Sequence, residues 1–301
     1  VSEADAATLV SFVIPAYNHA AYVRQTIESL WAQTHRPIEI IVVDDASSDA
    51  TPDILHALVT DSPVPMRFER HTKNRGVSQT FLDGARLARG AFVWFIASDD
   101  WLAPEAVATL MAAFAADPAR QVVFGNGVQV LEDTAGQWVV EPGKLNNDVA
   151  MALLGQPPQT ILAALQRQVS PIFIQTALIR RAFYEACGAH DPRCAAIDDW
   201  VLNLRMFAHL QDKCQYAFVD VPLCYRRLHA SNSHKSAFKH WQAIETVYKH
   251  YAPSKLRRKY LRAFYQQCLR MLSAQSGGAT HRKEQRYFQS KLFFLRLGWV
   301  V

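Results

Sequence analysis

The sequence predicts an α/β fold: a mostly parallel central sheet flanked by helices, with a C-terminal helical appendage. Three observations predict it. Short apolar runs alternate with helical patterns through the first 130 residues. Polar and acidic clusters sit at the ends of those runs. From residue 238 onward the strand patterns stop and the chain turns basic. Strand–helix alternation at this rhythm means right-handed crossovers and a sheet covered on both faces.

Each element follows from its pattern. Leu9 to Tyr17 (LVSFVIPAY) is a buried-strand run, and Ala20 to Thr34 places Val23, Ile27, Leu30 and Trp31 at helical spacing. Ile38 to Val43 (IEIIVV) is a second strand ending in DDASSD. Ser48 or Asp49 can cap the helix that Pro52 opens. Met66 to Arg70 is a weaker strand, and Val77 to Ala88 a helix with Phe81, Ala85 and Ala88 on one side. Phe92 to Ala97 (FVWFIA) is a buried strand ending in SDD, and Pro104 opens the next helix. Gln121 to Leu131, Phe173 to Ile179 and Tyr216 to Tyr225 read as strands. Residues 132 to 172 are less regular, and Asp198 to His209 reads as a helix. The tail reads as two or three helices, broken at Pro253 and Gly277-Gly278. The expected organisation is a domain over residues 1–235 and a basic helical extension over 236–301.

Composition narrows the class. Half of the 301 residues are hydrophobic and a fifth charged, which excludes a disordered chain, a collagen and a disulfide miniprotein. No uninterrupted apolar stretch reaches membrane-spanning length, and the N-terminus lacks a signal-peptide pattern. The five cysteines form no C-x-x-C, so reduced thiols and a cytoplasmic setting are expected. The net charge of +5 conceals an asymmetry. Residues 238–301 hold 13 Lys and Arg against two acids, the rest of the chain 19 against 25. Such a tail asks for an anionic partner.

In open parallel sheets ligands bind at the carboxyl ends of the strands. Asn18, Asp44-Asp45 and Asp99-Asp100 all sit at such ends, a site read from pattern alone. Adjacent acids at the end of a buried strand are costly without a cation. Asp99-Asp100 therefore suit Mg²⁺ or Mn²⁺, or else cap a helix. Asp44-Asp45 can accept hydrogen bonds from a ribose or a pyrimidine, or cap a loop. Asp198-Asp199 are either acids favourably placed on a helix dipole or a general base.

Taken together, FVIPAYN (12–18), VVDDASSD (42–49), KNRGVSQT with GARLARGAFVWFIASDDW (73–101), IDDW (197–200) and YRRLHASNS (225–233) resemble glycosyltransferase family 2. These are nucleotide-sugar-dependent enzymes of the GT-A fold, which is Rossmann-like. The resemblance covers roughly residues 9–233. It implies that Pro15, Ala16 and Tyr17 form the first donor loop. It implies that Asp45 contacts the donor base or ribose while Asp44 orients the loop, and that Arg75 reaches a phosphate. Ser98-Asp99-Asp100 match the D-x-D-type metal motif with Ser98 in place of its first acid. Asp100 is then the direct ligand of Mn²⁺ or Mg²⁺, and Asp99 meets ribose or a metal-bound water. Asp199 matches the catalytic base, and His229 a residue that helps hold the diphosphate. The implied reaction is a single displacement with inversion onto an acceptor hydroxyl, for instance of a glycan or lipid-linked glycan in surface polysaccharide synthesis.

Other residues carry plainer readings. His190-Asp191 form a turn or touch the acceptor; Trp101 packs a helix entry or stacks on an acceptor sugar. Trp31, Trp94 and Phe95 are core by pattern, and Trp200 is core or acceptor platform. The tail, with Phe293, Phe294, Leu295, Leu297 and Trp299, lies on an anionic membrane at the cytoplasmic face, or else packs on the body or in a homodimer. No nucleic acid is expected, since basic charge alone is not specific. A polyprenyl-phosphate sugar transferase shares the donor half, but a phosphate acceptor needs no base. A non-catalytic nucleotide-sugar-binding protein is a further alternative. A dinucleotide oxidoreductase needs G-x-G-x-x-G after the first strand, where this chain has PAYNHAAY.

Overall fold

The computed structural model describes residues 7–132, 137–194, 197–229, 237–273 and 279–296. The N-terminal half is built as the pattern predicts. Strands β1 (Val10–Ala16), β2 (Ile38–Asp44), β3 (Met66–Arg70) and β4 (Phe92–Phe95) are parallel neighbours in the order β3-β2-β1-β4. Every residue of β2 and β4 is buried, because helices cover both faces. Those helices are α1 (Val23–Trp31), α2 (Thr51–Asp61) and α3 (Val77–Ala85). Each buried Val, Ile or Phe of such strands contributes about 1.5–3 kcal/mol relative to exposure.

Beyond β4 the sheet becomes mixed. The two-residue strand β5 (Trp101–Leu102) leads into α4 (Ala106–Ala116), then β6 (Val122–Glu132), β7 (Trp138–Val140), α5 (Asp148–Leu154) and α6 (Pro158–Leu165). Strand β8 (Ala177–Arg180) inserts antiparallel between β4 and β6. It is shorter than expected: Ile174–Thr176 coil into a 3₁₀ turn first. Helices α7 (Arg181–Ala186) and α8 (Asp198–His209) precede β9 (Tyr216–Leu228). Strand β9 runs parallel to β6, and its far end pairs antiparallel with β5. This last pairing brings residues 225–229 back to the Asp99-Asp100 loop.

Three helices finish the described chain: α9 (Ala237–Tyr251), α10 (Ser254–Ser273) and α11 (Ala279–Arg296). Pro253 separates the first two, as expected; Gly277-Gly278, Leu297 and Trp299 lie outside the described residues. The helices share a hydrophobic cluster with the body, in which Trp241, Val247, Phe264 and Phe288 join Trp200 and Phe207. A polar joint reinforces it. Asp191 accepts hydrogen bonds from Arg193, from Arg205 on α8 and from the Tyr251 hydroxyl on α9. The His190-Asp191 turn is thus a joint, with the buried His190 ring stacked 4.8 Å from Phe81.

Among the aromatic residues expected in the core, Trp94 and Phe95 are fully buried, whereas Trp31 stays half-buried. Trp200 is core: its indole N–H donates to the Leu165 carbonyl at 2.7 Å. All five cysteines are free thiols. Among the described residues no helix is long and apolar enough to cross a membrane.

Candidate active site

The carboxyl ends of β1 and β2 are stitched into one surface. Asn18, in the left-handed region at φ 55°, receives a hydrogen bond at Oδ1 from the Ser48 N–H, and its own N–H donates to Ser47 Oγ. The His19 and Ala20 N–H groups donate to Thr51 Oγ1 and Asp49 Oδ2. Asp49 also accepts the Thr51 N–H, but the N-cap of α2 is Ala50 and no side chain caps the helix, so neither Ser48 nor Asp49 has the expected capping role. Pro15 and Ala16 end β1, and Tyr17 projects beyond them, 46% exposed. Ala16 is buried and Pro15 half-buried, so of the three only Tyr17 is exposed.

The two acids after β2 divide their work. Asp45 accepts three hydrogen bonds: Oδ1 from the His71 ring and the Arg75 N–H, Oδ2 from the Gly76 N–H. It holds the 71–76 loop. Asp44 Oδ2 accepts the Ser47 N–H and faces the Arg70 guanidinium at 3.2 Å, while Oδ1 meets no hydrogen-bond donor of the described residues. Both acids are thus engaged in their surroundings, Asp45 toward residues 71–76 and the fully buried Asp44 toward Ser47 and Arg70. The Arg75 guanidinium is paired with Asp83 at 2.7 Å.

The loop after β4 holds the next station. His229 Nε2 lies 2.9 Å from Asp99 Oδ2, and His19 Nε2 lies 3.7 Å from the same oxygen. His19 Nδ1 is fixed by Ser98 Oγ at 2.7 Å. One ligand-type atom from each of His19, Asp99 and His229 falls within 4.8 Å of the others. Burial pushes the Asp99 carboxyl up, but the His229 hydrogen bond and the His19 charge outweigh it and hold the acid below its usual range. Burial lowers the His19 imidazole despite Asp99.

Asp100, the next residue, is not part of that group. Its Oδ1 accepts the Arg227 backbone N–H at 2.8 Å, and burial together with the Asp99 charge pushes it well above its usual range. The group of potential ligand atoms contains Asp99 and the two imidazoles, and not Asp100. The physical reason is the β5–β9 pairing, which presents the Arg227 amide to Asp100 and the His229 ring to Asp99. Sequence reasoning missed His19. It follows Asn18 in the loop after β1, and only the stitching of that loop to Ser98 reveals its partner.

The buried Arg227 guanidinium lies between aromatic faces, 4.7 Å from Tyr22, 4.8 Å from Trp101 and 4.6 Å from Trp138. Trp101 also stacks on Tyr225 at 5.3 Å. Cation–π contacts of this kind stabilise a buried guanidinium, and Gln25 Oε1 accepts a further hydrogen bond from its Nη2.

Asp198 and Asp199 open α8, both half-buried. Burial pushes Asp199 up to about 6, against a hydrogen bond from the Ile174 N–H and the Arg226 charge. Burial and then the neighbouring Asp199 push Asp198 to about 8. The Arg226 guanidinium lies 5.5 Å over the Phe173 ring and acts electrostatically on Asp100 as well. A carboxylate that stays ionised at neutral pH yet has a raised proton affinity is suited to general-base work.

Fold and site define an α/β protein with an acidic strand-end edge. The glycosyl transferase family 2 model matches residues 11–187, and the chain belongs to that family. It is 31% identical over 228 residues to EpsH of Bacillus subtilis, covering 74% of this chain and 62% of EpsH. The chain thus spans less than two thirds of that relative's length. Among solved structures, TarS 1–349 of S. aureus in complex with UDP-GlcNAc superposes with a TM-score of 0.66. That match has 16% identity and covers 95% of this chain and 81% of TarS. The mannosyltransferase PcManGT from Pyrobaculum calidifontis, in complex with GDP-Man and Mn²⁺, gives a TM-score of 0.56 at 17% identity, over 96% and 86% of the two chains. At these identities the structures share the GT-A-like fold.

Proposed function

We propose that the chain is an inverting, metal-dependent glycosyltransferase that moves a sugar from a nucleoside-diphosphate sugar to an acceptor hydroxyl. The observation that carries this reading is the division of labour among the carboxylates. Asp99 is held ionised between two imidazoles, while Asp199 is raised to about 6 at the start of α8. One suits a cation and the other a proton.

The donor's nucleoside lies against the β1 and β2 ends in this reading, beside Tyr17 and the Asp44–Asp45 turn, with residues 71–76 as its flank. The His19, Asp99 and His229 atoms fit a divalent ion. Two nitrogens and one carboxylate oxygen suit Mn²⁺ better than Mg²⁺, which prefers oxygen and near-ideal octahedral geometry. A cation bound there supplies positive charge against the diphosphate leaving group. Asp100 anchors the β9 end that carries His229. Asp199 takes the proton of the acceptor hydroxyl as its oxygen bonds to the anomeric carbon and the bond to the diphosphate breaks. A single base is enough, unlike the two flanking carboxyl groups of a glycosidase.

The acceptor in this reading is a growing surface glycan or a lipid-linked glycan. Residues 1–235 form the transferring unit, and 236–301 the extension that faces an anionic membrane on the cytoplasmic side. The polyprenyl-phosphate reading is weaker because it leaves the raised Asp199 without work.

The deciding experiment is a thermal-shift panel of nucleoside diphosphates and nucleotide sugars with and without Mn²⁺, followed by measurement of nucleoside diphosphate release. We expect one nucleotide class to stabilise the protein in a Mn²⁺-dependent way that Asp99→Ala abolishes. A flat panel at saturating ligand, or binding with no turnover on any hydroxyl acceptor, would overturn the reading.

A further inference from the structure

Helices α10 and α11 enclose a cleft of about 540 Å³ on the outer face of the C-terminal bundle. Four cations line it: Arg258, Lys259 and Arg262 from α10, and Arg296 from the end of α11. All four are exposed. Among the described residues none of them forms an ion pair with a carboxylate. Arg258 reaches across the cleft and donates to the Leu295 carbonyl at 3.0 Å, which fixes the two helices at this point. Leu292 and Leu295 supply an apolar floor.

The neighbouring acids do not serve the cleft. Residues 238–301 contain two, Glu245 and Glu284. Glu245 is buried and taken by Lys249 at 2.7 Å, Tyr287 at 2.7 Å and Lys291 at 3.6 Å. Beside Arg296 on the last turn of α11, Phe293 is 58% and Phe294 39% exposed. Exposed aromatic rings next to unneutralised cations are poorly placed in water. They are well placed at a boundary that is anionic at one level and apolar just below it.

We propose that this cleft is a docking site for headgroup phosphates of anionic phospholipids, with Phe293 and Phe294 as shallow anchors. The proposal deepens the reading of the extension as membrane-facing and rests on it, but it is independent of the catalytic assignments. The electrostatic complement decides for lipid: four cations converge around one concave surface, where a protein partner of mixed charge would leave most of them unmatched. Each cation near such a surface changes partitioning about five-fold.

The test is flotation of the full chain with vesicles of phosphatidylcholine alone and of equimolar phosphatidylglycerol and phosphatidylcholine. We expect binding to the anionic vesicles only, falling with salt. The triple variant Arg258→Gln, Arg262→Gln, Arg296→Gln should weaken it about a hundredfold. Phe293→Ser with Phe294→Ser should weaken it while preserving the salt dependence. A charge-matched control, Arg67→Gln, Lys144→Gln, Arg181→Gln, should bind as the parent does. Equal loss in that control, or binding that survives the triple variant, overturns the cleft assignment. A change in sedimenting mass in place of a change in flotation overturns it in favour of a self-association surface. Absence of binding to either vesicle overturns the membrane reading itself. Donor-induced thermal stabilisation, followed on the same samples, reports on folding and on the transferase reading separately.

Discussion

His229 Nε2 and Asp99 Oδ2 are 130 residues apart in the chain and 2.9 Å apart in space. The contact closes the end of β9 over the loop after β4. His19 completes the group from the loop after β1, so three separate segments meet around one carboxylate.

From this meeting point a metal prediction follows. His19→Ala, Asp99→Asn and His229→Ala should each remove the Mn²⁺-dependent part of donor binding and lower kcat/KM about 10²–10³-fold. Mn²⁺ should be preferred over Mg²⁺ in the parent. Titration calorimetry with Mn²⁺ alone and with nucleotide checks both; undiminished Mn²⁺ affinity in the Asp99 variant would sink the assignment.

Asp199→Asn should lower kcat about 10²–10⁴-fold and leave the donor-induced thermal shift intact. Because Asp199 must be ionised to accept a proton and is raised to about 6, parent activity should climb as pH rises through about 6. That ascending limb should vanish from the residual activity of the variant. A pH–rate profile at saturating donor and Mn²⁺ decides it.

The Asp198–Asp199 pair should also shape stability. Both carboxyls are raised in the folded state, to about 8 and about 6. Their protonated forms are therefore the ones the fold tolerates, so the pair's contribution to stability is fully present below about 4, the ordinary carboxylate value, and is lost progressively as pH rises from there to about 8. Asp198→Asn should raise the melting temperature at pH 8.5 by several degrees and change it little at pH 3.5. Melting curves at the two pH values test this; an equal effect at both would contradict it.

Asp45 makes a different kind of prediction. Its two oxygens accept three hydrogen bonds from residues 71–76. Asp45→Ala should cost about 3 kcal/mol and raise the donor KM, since that loop would lose its fixed point. Hydrogen exchange at residues 71–76 should accelerate in the variant ahead of the rest of the sheet.

The N-terminal half of the fold was legible because its strands are buried on both faces, which writes continuous apolar runs such as FVIP and IEIIVV into the chain. Strands β5 and β8 were poorly legible for the opposite reason. Two and four residues long, they take their identity from distant partners, Tyr225 and Cys224 in one case, Phe92 to Trp94 in the other. The site was legible at the level of strand ends. Which of two adjacent acids does what was not, because it depends on backbone donors from elsewhere: Arg75 and Gly76 for Asp45, Arg227 for Asp100. His19 and the aromatic sandwich around Arg227 leave no periodic trace in the sequence.

The joint at Asp191 has a practical corollary. Arg205, two turns along the helix that Asp199 opens, also donates to the Tyr251 hydroxyl at 3.0 Å and to the Ala189 carbonyl at 2.7 Å. On the same side, Trp200 meets the Tyr248 ring at 5.5 Å. Cutting the chain at the sequence boundary near residue 235 would strip this flank, exposing indole and phenylalanine surface and stranding Arg205 without its phenol. A minimal fragment for crystallisation or domain swapping should therefore keep α9 to α11 with the body, and chimeras should exchange the two as a unit.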